Sequence, residues 1–159
     1  MQVNMQAICI SEKGGMRMGA IDPKAEAILE KRFGKDTLLS VATVEGDRPS
    51  VRIVDAVYEN GSFYTITYLL SGKMKQIAKN PRVGVCGEWF TGHGVGESLG
   101  SLTAGHNRAM HSRLKEAFAL WYGNGHIDET DPNNVILRIR LTDGVLMDHG
   151  TRYDLAFAE

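Results

Sequence analysis

Four side chains near the middle of this 159-residue chain could together hold an anion: Arg52, Thr67, Ser71 and Lys73. A guanidinium offers a planar fork of N–H donors that matches two phosphate oxygens. Lys73 adds a compact cation, and the two hydroxyls add neutral donors. Gly72 allows a ligand close to the backbone. A helix starting there would contribute unpaired N–H groups and a positive dipole end, worth about 0.3–1 kcal/mol per nearby negative charge. Each residue also has an ordinary role open to it. Ser71 can cap the helix, Arg52 can pair with Asp55 or Glu88, and Lys73 can be a solvated surface charge.

The elements that must position these groups begin with a hairpin. Asn60-Gly61 separates the β-rich runs Val51–Tyr58 and Ser62–Tyr68, which is the strongest short-range hairpin signal in the chain. A two-residue turn sets Glu59 opposite Ser62, Val54 opposite Thr67 and Arg52 opposite Leu69. In that register Thr67 lies on the diagonal from Arg52. The second strand then leads into Ser71-Gly72-Lys73 and a short helix ending near Lys79, before Asn80-Pro81.

Around this hairpin the periodicity gives the rest of one domain. Residues 1–20 read as an arm in which Gln6–Ile10 could add an edge strand, and 21–159 read as a single domain. Asp22-Pro23 is a helix start, Ala25, Ile28, Leu29 and Phe33 form its apolar stripe, and Gly34 ends it. Leu38–Val44 and Arg82–Trp89 read as strands. Gly92, Gly94, Gly96 and Gly100 read as a flexible loop carrying His93. Met110, Leu114, Ala117, Phe118 and Trp121 recur at helical spacing, with Gly123 as the stop. Val135–Leu141 alternates as a strand, and Thr142-Asp143-Gly144 reads as a turn into a last strand, Val145–His149. Six strands and three helices predict a mainly β fold, a small antiparallel barrel with helices outside.

Composition narrows the function. Eighteen basic against nineteen acidic residues leave a formal charge of −1, and 43% of residues are apolar and 23% charged. No field of one sign exists to attract nucleic acid or an anionic membrane. No apolar stretch approaches a membrane span, and the N-terminus has no secretion-signal pattern, so a cytoplasmic protein is expected. Cys9 and Cys86 make no disulfide framework or metal pair and read as small buried or half-buried thiols. The histidines His93, His106, His111, His126 and His149 show no metal-ligand spacing, so no metal is expected.

Arg52-Ile53-Val54, Tyr64-Thr65-Ile66-Thr67, Ser71-Gly72-Lys73, Asn80-Pro81-Arg82-Val83 and Glu88-Trp89, in this order, resemble the pyridoxamine 5′-phosphate oxidase-like family. The resemblance implies an FMN-binding split barrel, a six-stranded antiparallel barrel that forms a homodimer with the cofactor at the subunit interface. It implies that Arg52, Thr67, Ser71 and Lys73 bind the FMN phosphate and that backbone groups around Ile53 and Val54 meet the isoalloxazine edge. Trp89, at the end of a strand, would then stack on or wall off the flavin ring, or else belong to the barrel core. Two features depart from oxidases proper. Gly72-Lys73 stands where they carry Arg-Lys, and His149 and Arg152 occur in the reverse order of their substrate element. The expected function is therefore an FMN-dependent oxidoreductase of unassigned substrate. The alternatives are a non-catalytic flavin sensor or reservoir, or a split barrel holding haem or a deazaflavin, haem taking an axial histidine.

Overall fold

The computed structural model describes residues 21–158, so the proposed arm 1–20 with its edge strand, and Cys9, lie outside the described residues. Helix α1 (Pro23–Phe33) starts as its sequence requires: Asp22 accepts a hydrogen bond from the Lys24 amide, Pro23 occupies the first turn, and the Gly34 amide closes on the Glu30 carbonyl. Ala25, Leu29 and Phe33 form its buried stripe.

Strands β1 (Thr37–Glu45), β2 (Arg48–Glu59) and β3 (Ser62–Tyr68) follow, then α2 (Gly72–Lys79), β4 (Arg82–Gly87) and β5 (Phe90–Ser101). A short 3₁₀ turn leads into α3 (Arg108–Ala117), and β6 (Asn134–Asp148) and β7 (Thr151–Ala156) complete the chain. The neighbour order is β3-β2-β1-β4-β5-β6-β7, and β3 also pairs with β6. That pairing closes six antiparallel strands into a barrel and leaves β7 attached along the second half of β6. The expected mainly β, six-stranded antiparallel split β-barrel is the fold observed.

Two of the expected barrel strands have a different origin. The glycine stretch is not a loop but the strand β5, and Thr142-Asp143-Gly144 is not a turn but part of one long strand, β6. A Cβ on Gly94 would stand 2.7 Å from the Arg140 carbonyl oxygen, and one on Gly92 would stand 2.8 Å from that of Asp143. These glycines let β5 close against β6 where side chains would hold them apart. A register shift opposite His93 and Gly94 leaves Thr142 as an extra residue, a bulge that accounts for the turn-like sequence. The real turn is His149-Gly150, both with positive φ, which delivers β7.

The barrel has two plugged ends. Phe33 on α1 packs edge-on against Phe63 and beside Phe90 at one end, while Met74 and Ile77 of α2 are buried at the other. The inward residues Leu39 and Val41 of β1, Val83 and Val85 of β4 and Leu137, Ile139 and Leu141 of β6 fill the space between. A second cluster, Leu102, Leu114 and Phe118 with Val57 and Ile136, packs α3 onto the barrel wall. The expected α3 stripe is there, but the helix stops at Ala117, and Phe118 and Trp121 stack in the turns that follow.

Candidate functional site

Arg52 faces the barrel's inner side. In the β1–β2 ladder it pairs with Val41, and Val54 pairs with Leu39, so both share the phase of buried β1 residues. From there the Arg52 guanidinium reaches toward α2. Nη1 donates to the Thr43 hydroxyl at 2.6 Å and to the carbonyls of Val41 and Ser50, each at 3.2 Å. Nη2 donates to Gln76 Oε1 at 3.1 Å, and the Thr43 hydroxyl donates to the same oxygen. All these acceptors are neutral. Neither Asp55 nor Glu88 pairs with Arg52, and among the described residues neither Arg52 nor Lys73 takes part in an ion pair.

Lys73 comes close enough for the two charges to oppose each other. Burial, and then the Arg52 guanidinium, hold its ammonium below the ordinary lysine range. The Arg52 guanidinium is itself shifted down by burial. Two like charges are therefore held at one barrel end, and among the described residues no carboxylate pairs with either.

The hydroxyls tell the same story. Ser71 occupies the N-cap position of α2, yet its side chain makes no capping bond, and its Oγ is buried without a partner. Thr67 Oγ1 is likewise buried and unpartnered. A buried polar group left unpaired costs about 1–3 kcal/mol, so such atoms ordinarily meet a protein group, an ordered water or a ligand. The three ordinary roles open to Ser71, Arg52 and Lys73 are thus not the ones they fill.

The route from hairpin to site differs from the expected register. The turn sets Glu59 opposite Ser62 as expected, but β2 and β3 pair only as far as Val57 and Tyr64. Beyond that, β2 follows β1 and β3 follows β6, with Thr67 opposite Val135. Arg52 and Thr67 are not diagonal neighbours across a ladder. They flank the seam where the hairpin parts, at the end that α2 covers. Since Arg52–Ala56 bonds to β1 alone, every second backbone group around Ile53 and Val54 faces that seam.

Other expected residues lie elsewhere. Trp89 does not end a strand; it sits in the β4–β5 turn at φ 54° and is 71% exposed. Val85 shares the Val41 rung with Arg52, and Trp89 lies four residues further on, toward α1. That is roughly 13 Å along the strand at about 3.3 Å per residue. His93 belongs to β5, not to a mobile loop, and its Nδ1 is 2.7 Å from Asp143 Oδ1. His111 hydrogen-bonds the Tyr122 hydroxyl, and His149 pairs with Asp148. Arg152 pairs with Asp154 within β7, and His126 is exposed. Cys86 is exposed on the outer face of β4, not buried. Among the described residues, no group of three or more His, Cys, Asp and Glu side chains could hold a metal, and no helix is long and apolar enough to cross a membrane.

Thr43 and Gln76 join the cluster in addition to the residues expected from sequence. Gln76 lies three residues after Lys73 on α2, hence on the same face, and Thr43 continues the inward phase of Leu39 and Val41. Both were accessible from spacing.

The family model described as pyridoxamine 5′-phosphate oxidase matches residues 21–147, well over half of the chain. The chain belongs to the pyridoxamine 5′-phosphate oxidase family. Solved structures share the fold of this family member at low identity. General stress protein 26 from Bacillus anthracis is 19% identical, with a TM-score of 0.61 over 82% of this chain and 98% of that one. A FAD-binding protein from Mesorhizobium loti is 15% identical, with a TM-score of 0.59 over 76% and 89%. A heme binding protein from Mycobacterium smegmatis is 14% identical, with a TM-score of 0.64 over 86% and 60%. No curated protein matches the sequence.

Proposed function

We propose that this chain binds FMN, with the phosphate between Arg52 and Lys73, and acts as a flavin-dependent oxidoreductase. The observation that carries the reading is the pair of cations without a carboxylate, next to two buried hydroxyls with no partner. A dianion there would balance Arg52 and Lys73 and supply acceptors to Thr67 Oγ1 and Ser71 Oγ. The N-terminus of α2 adds its amides. Family membership and the flavin named for the Mesorhizobium loti neighbour support the same ligand class. Bound flavin supplies the hydride or electron chemistry, and the chain's part is grip, orientation and exclusion of water.

The reading includes a homodimer. Leu38, Val51 and Ile53 project from the outer face of β1 and β2 at 65%, 71% and 65% exposure. Beside them Ser40, Ala42 and Gly84 make a shallow trough of small residues. A second copy laid on this face would bury the apolar side chains and cover the seam. Val51→Asp together with Ile53→Asp should give a monomer in analytical ultracentrifugation; an unchanged dimer would remove this face from the interface. Cytoplasmic residence belongs to the same proposal.

The cofactor test is direct. FMN added to the purified chain should give a saturable complex with a flavin spectrum, and haem should not compete for it. Arg52→Lys keeps the charge but loses the fork, and should weaken FMN by about 1.5–3 kcal/mol, roughly ten- to 150-fold. Equal affinity in the variant would take Arg52 out of the phosphate site. Turnover with a nicotinamide nucleotide as reductant would choose enzyme over reservoir.

A further inference from the structure

Two arginines stand two residues apart on the same side of β6, and the fold treats them differently. Arg138 lies opposite Glu97 on β5 and forms an ion pair with it, although its Nε is buried without a partner among the described residues. Arg140 lies opposite Val95 on β5 and Ser62 on β3, and its Nη1 is buried without a hydrogen-bond partner. Arg82 on β4 lies opposite Val95 from the other side. Among the described residues, neither Arg82 nor Arg140 makes an ion pair. The two guanidiniums therefore flank an apolar residue on one rung of the outer sheet.

A groove opens at this rung, lined by Arg82, Val95, Arg140, His93, Thr142 and Asp143. Its carboxylate is already engaged. His93 Nδ1 stands 2.7 Å from Asp143 Oδ1, and the Thr142 hydroxyl donates to Oδ2 at 3.0 Å. Holding Nδ1 against Asp143 leaves His93 Nε2 as the free ring nitrogen, on an exposed side chain at the edge of the groove. The single Thr142 hydroxyl proton has a second acceptor within reach, the His93 carbonyl at 3.2 Å, so the bulge residue is shared between Asp143 and the strand that carries the imidazole. Two permanent cations and an imidazole thus surround Val95; among the described residues the carboxylate lining the groove is Asp143, and Glu97, two residues along β5, is held by Arg138.

We propose that this groove is a second anion site, built for a phosphate or phosphomonoester group and separate from the Arg52–Lys73 cluster. Two guanidinium forks approaching from opposite sides suit a tetrahedral oxyanion, which offers oxygens in several directions, better than a planar carboxylate. A nucleic-acid backbone is disfavoured because the net charge is −1 and no wider basic field extends from the groove.

The test is calorimetric titration of inorganic phosphate into the Lys73→Met chain, in which the first cluster is disabled. One phosphate should bind per chain. Arg140→Gln added to this background should weaken it at least tenfold, and so should Arg82→Gln, which alters an exposed side chain and keeps the test sound if the Arg140 variant folds poorly. Glycerol 1-phosphate binding as well as inorganic phosphate would assign the groove to an ester; binding of inorganic phosphate alone would assign it to the free ion. No saturable binding, or an affinity left unchanged by both arginine substitutions, overturns the proposal. Because the readout uses no flavin, its failure and the failure of FMN binding are separate results.

Discussion

The two ends of the barrel each carry an arginine that reaches across strands, and the two are satisfied in opposite ways. At the α1 end, Arg32 donates to the carbonyls of Glu88 and Met147, each at 3.1 Å, and to the Asp148 carboxylate at 2.7 Å. At the α2 end, Arg52 finds only neutral oxygens and a neighbouring lysine. At the α1 end the arginine's charge is paired, and the plug is the aromatic cluster of Phe33, Phe63 and Phe90. The α2 end has a charge surplus and unpaired hydroxyls that nothing in the described chain resolves. A fold tolerates such a surplus where a ligand supplies the missing charge, at some cost to the empty state. The difference separates an arginine that holds the barrel together from one that waits for a partner.

The largest effect that would test this division comes from the α1 end. Phe33→Ala should cost about 3–5 kcal/mol of stability, since a fully buried ring is lost from the core. Urea unfolding measures it. The FMN affinity of the folded fraction should stay within about twofold, because the seam and α2 are at the other end. A loss of affinity as large as the loss of stability would show that the ends do not act separately.

Lys73→Met should do the reverse. FMN binding should fall roughly ten- to 150-fold, the worth of a charged hydrogen bond of about 1.5–3 kcal/mol. The thermal midpoint of the empty chain should not fall, because the variant relieves the repulsion from Arg52 and spares the ammonium its burial. A clear loss of stability without FMN would mean that Lys73 supports the fold as it stands.

How much of this was legible in the sequence depended on whether a residue's role was local. The cap at Asp22-Pro23, the span of α2 and the Asn60-Gly61 turn follow from neighbours a few residues away, and all three stand where expected. The strand β5 did not read as one because Gly92 and Gly94 serve contacts with β6, some fifty residues distant, and locally glycines spell a loop. Thr142-Asp143-Gly144 misled for the same reason: a bulge and a turn use the same residues, and only the partner strand decides. Chemistry alone marks Arg52 and Thr67 in the sequence, whereas a diagonal between them requires the hairpin to stay paired. It parts because β3 bonds to β6, which no pattern within the hairpin announces.

Titration offers the finest discrimination between the ends, because they should respond on opposite sides of neutrality. Asp148 at the α1 end is held below the usual carboxylate range, first by the hydrogen bond from His149, then by the charges of His149, Arg32 and Lys31. Its native form therefore binds fewer protons than the unfolded chain near pH 4, so its contribution is full above the ordinary Asp value and is lost as pH falls through the lowered one. Replacing Arg32 by Met should flatten part of that acid loss. Lys73 at the α2 end has its native value lowered, so the unfolded chain again binds more protons, but in the alkaline range. Stability of the empty chain should gain as pH rises from the lowered Lys73 value toward the ordinary 10.5. Bound FMN phosphate should abolish that gain by favouring the charged ammonium, and Lys73→Met should lack it with or without FMN. Thermal midpoints across both ranges, with and without FMN, read the two limbs. An alkaline limb that persists unchanged in the Lys73→Met chain would detach it from this end of the barrel.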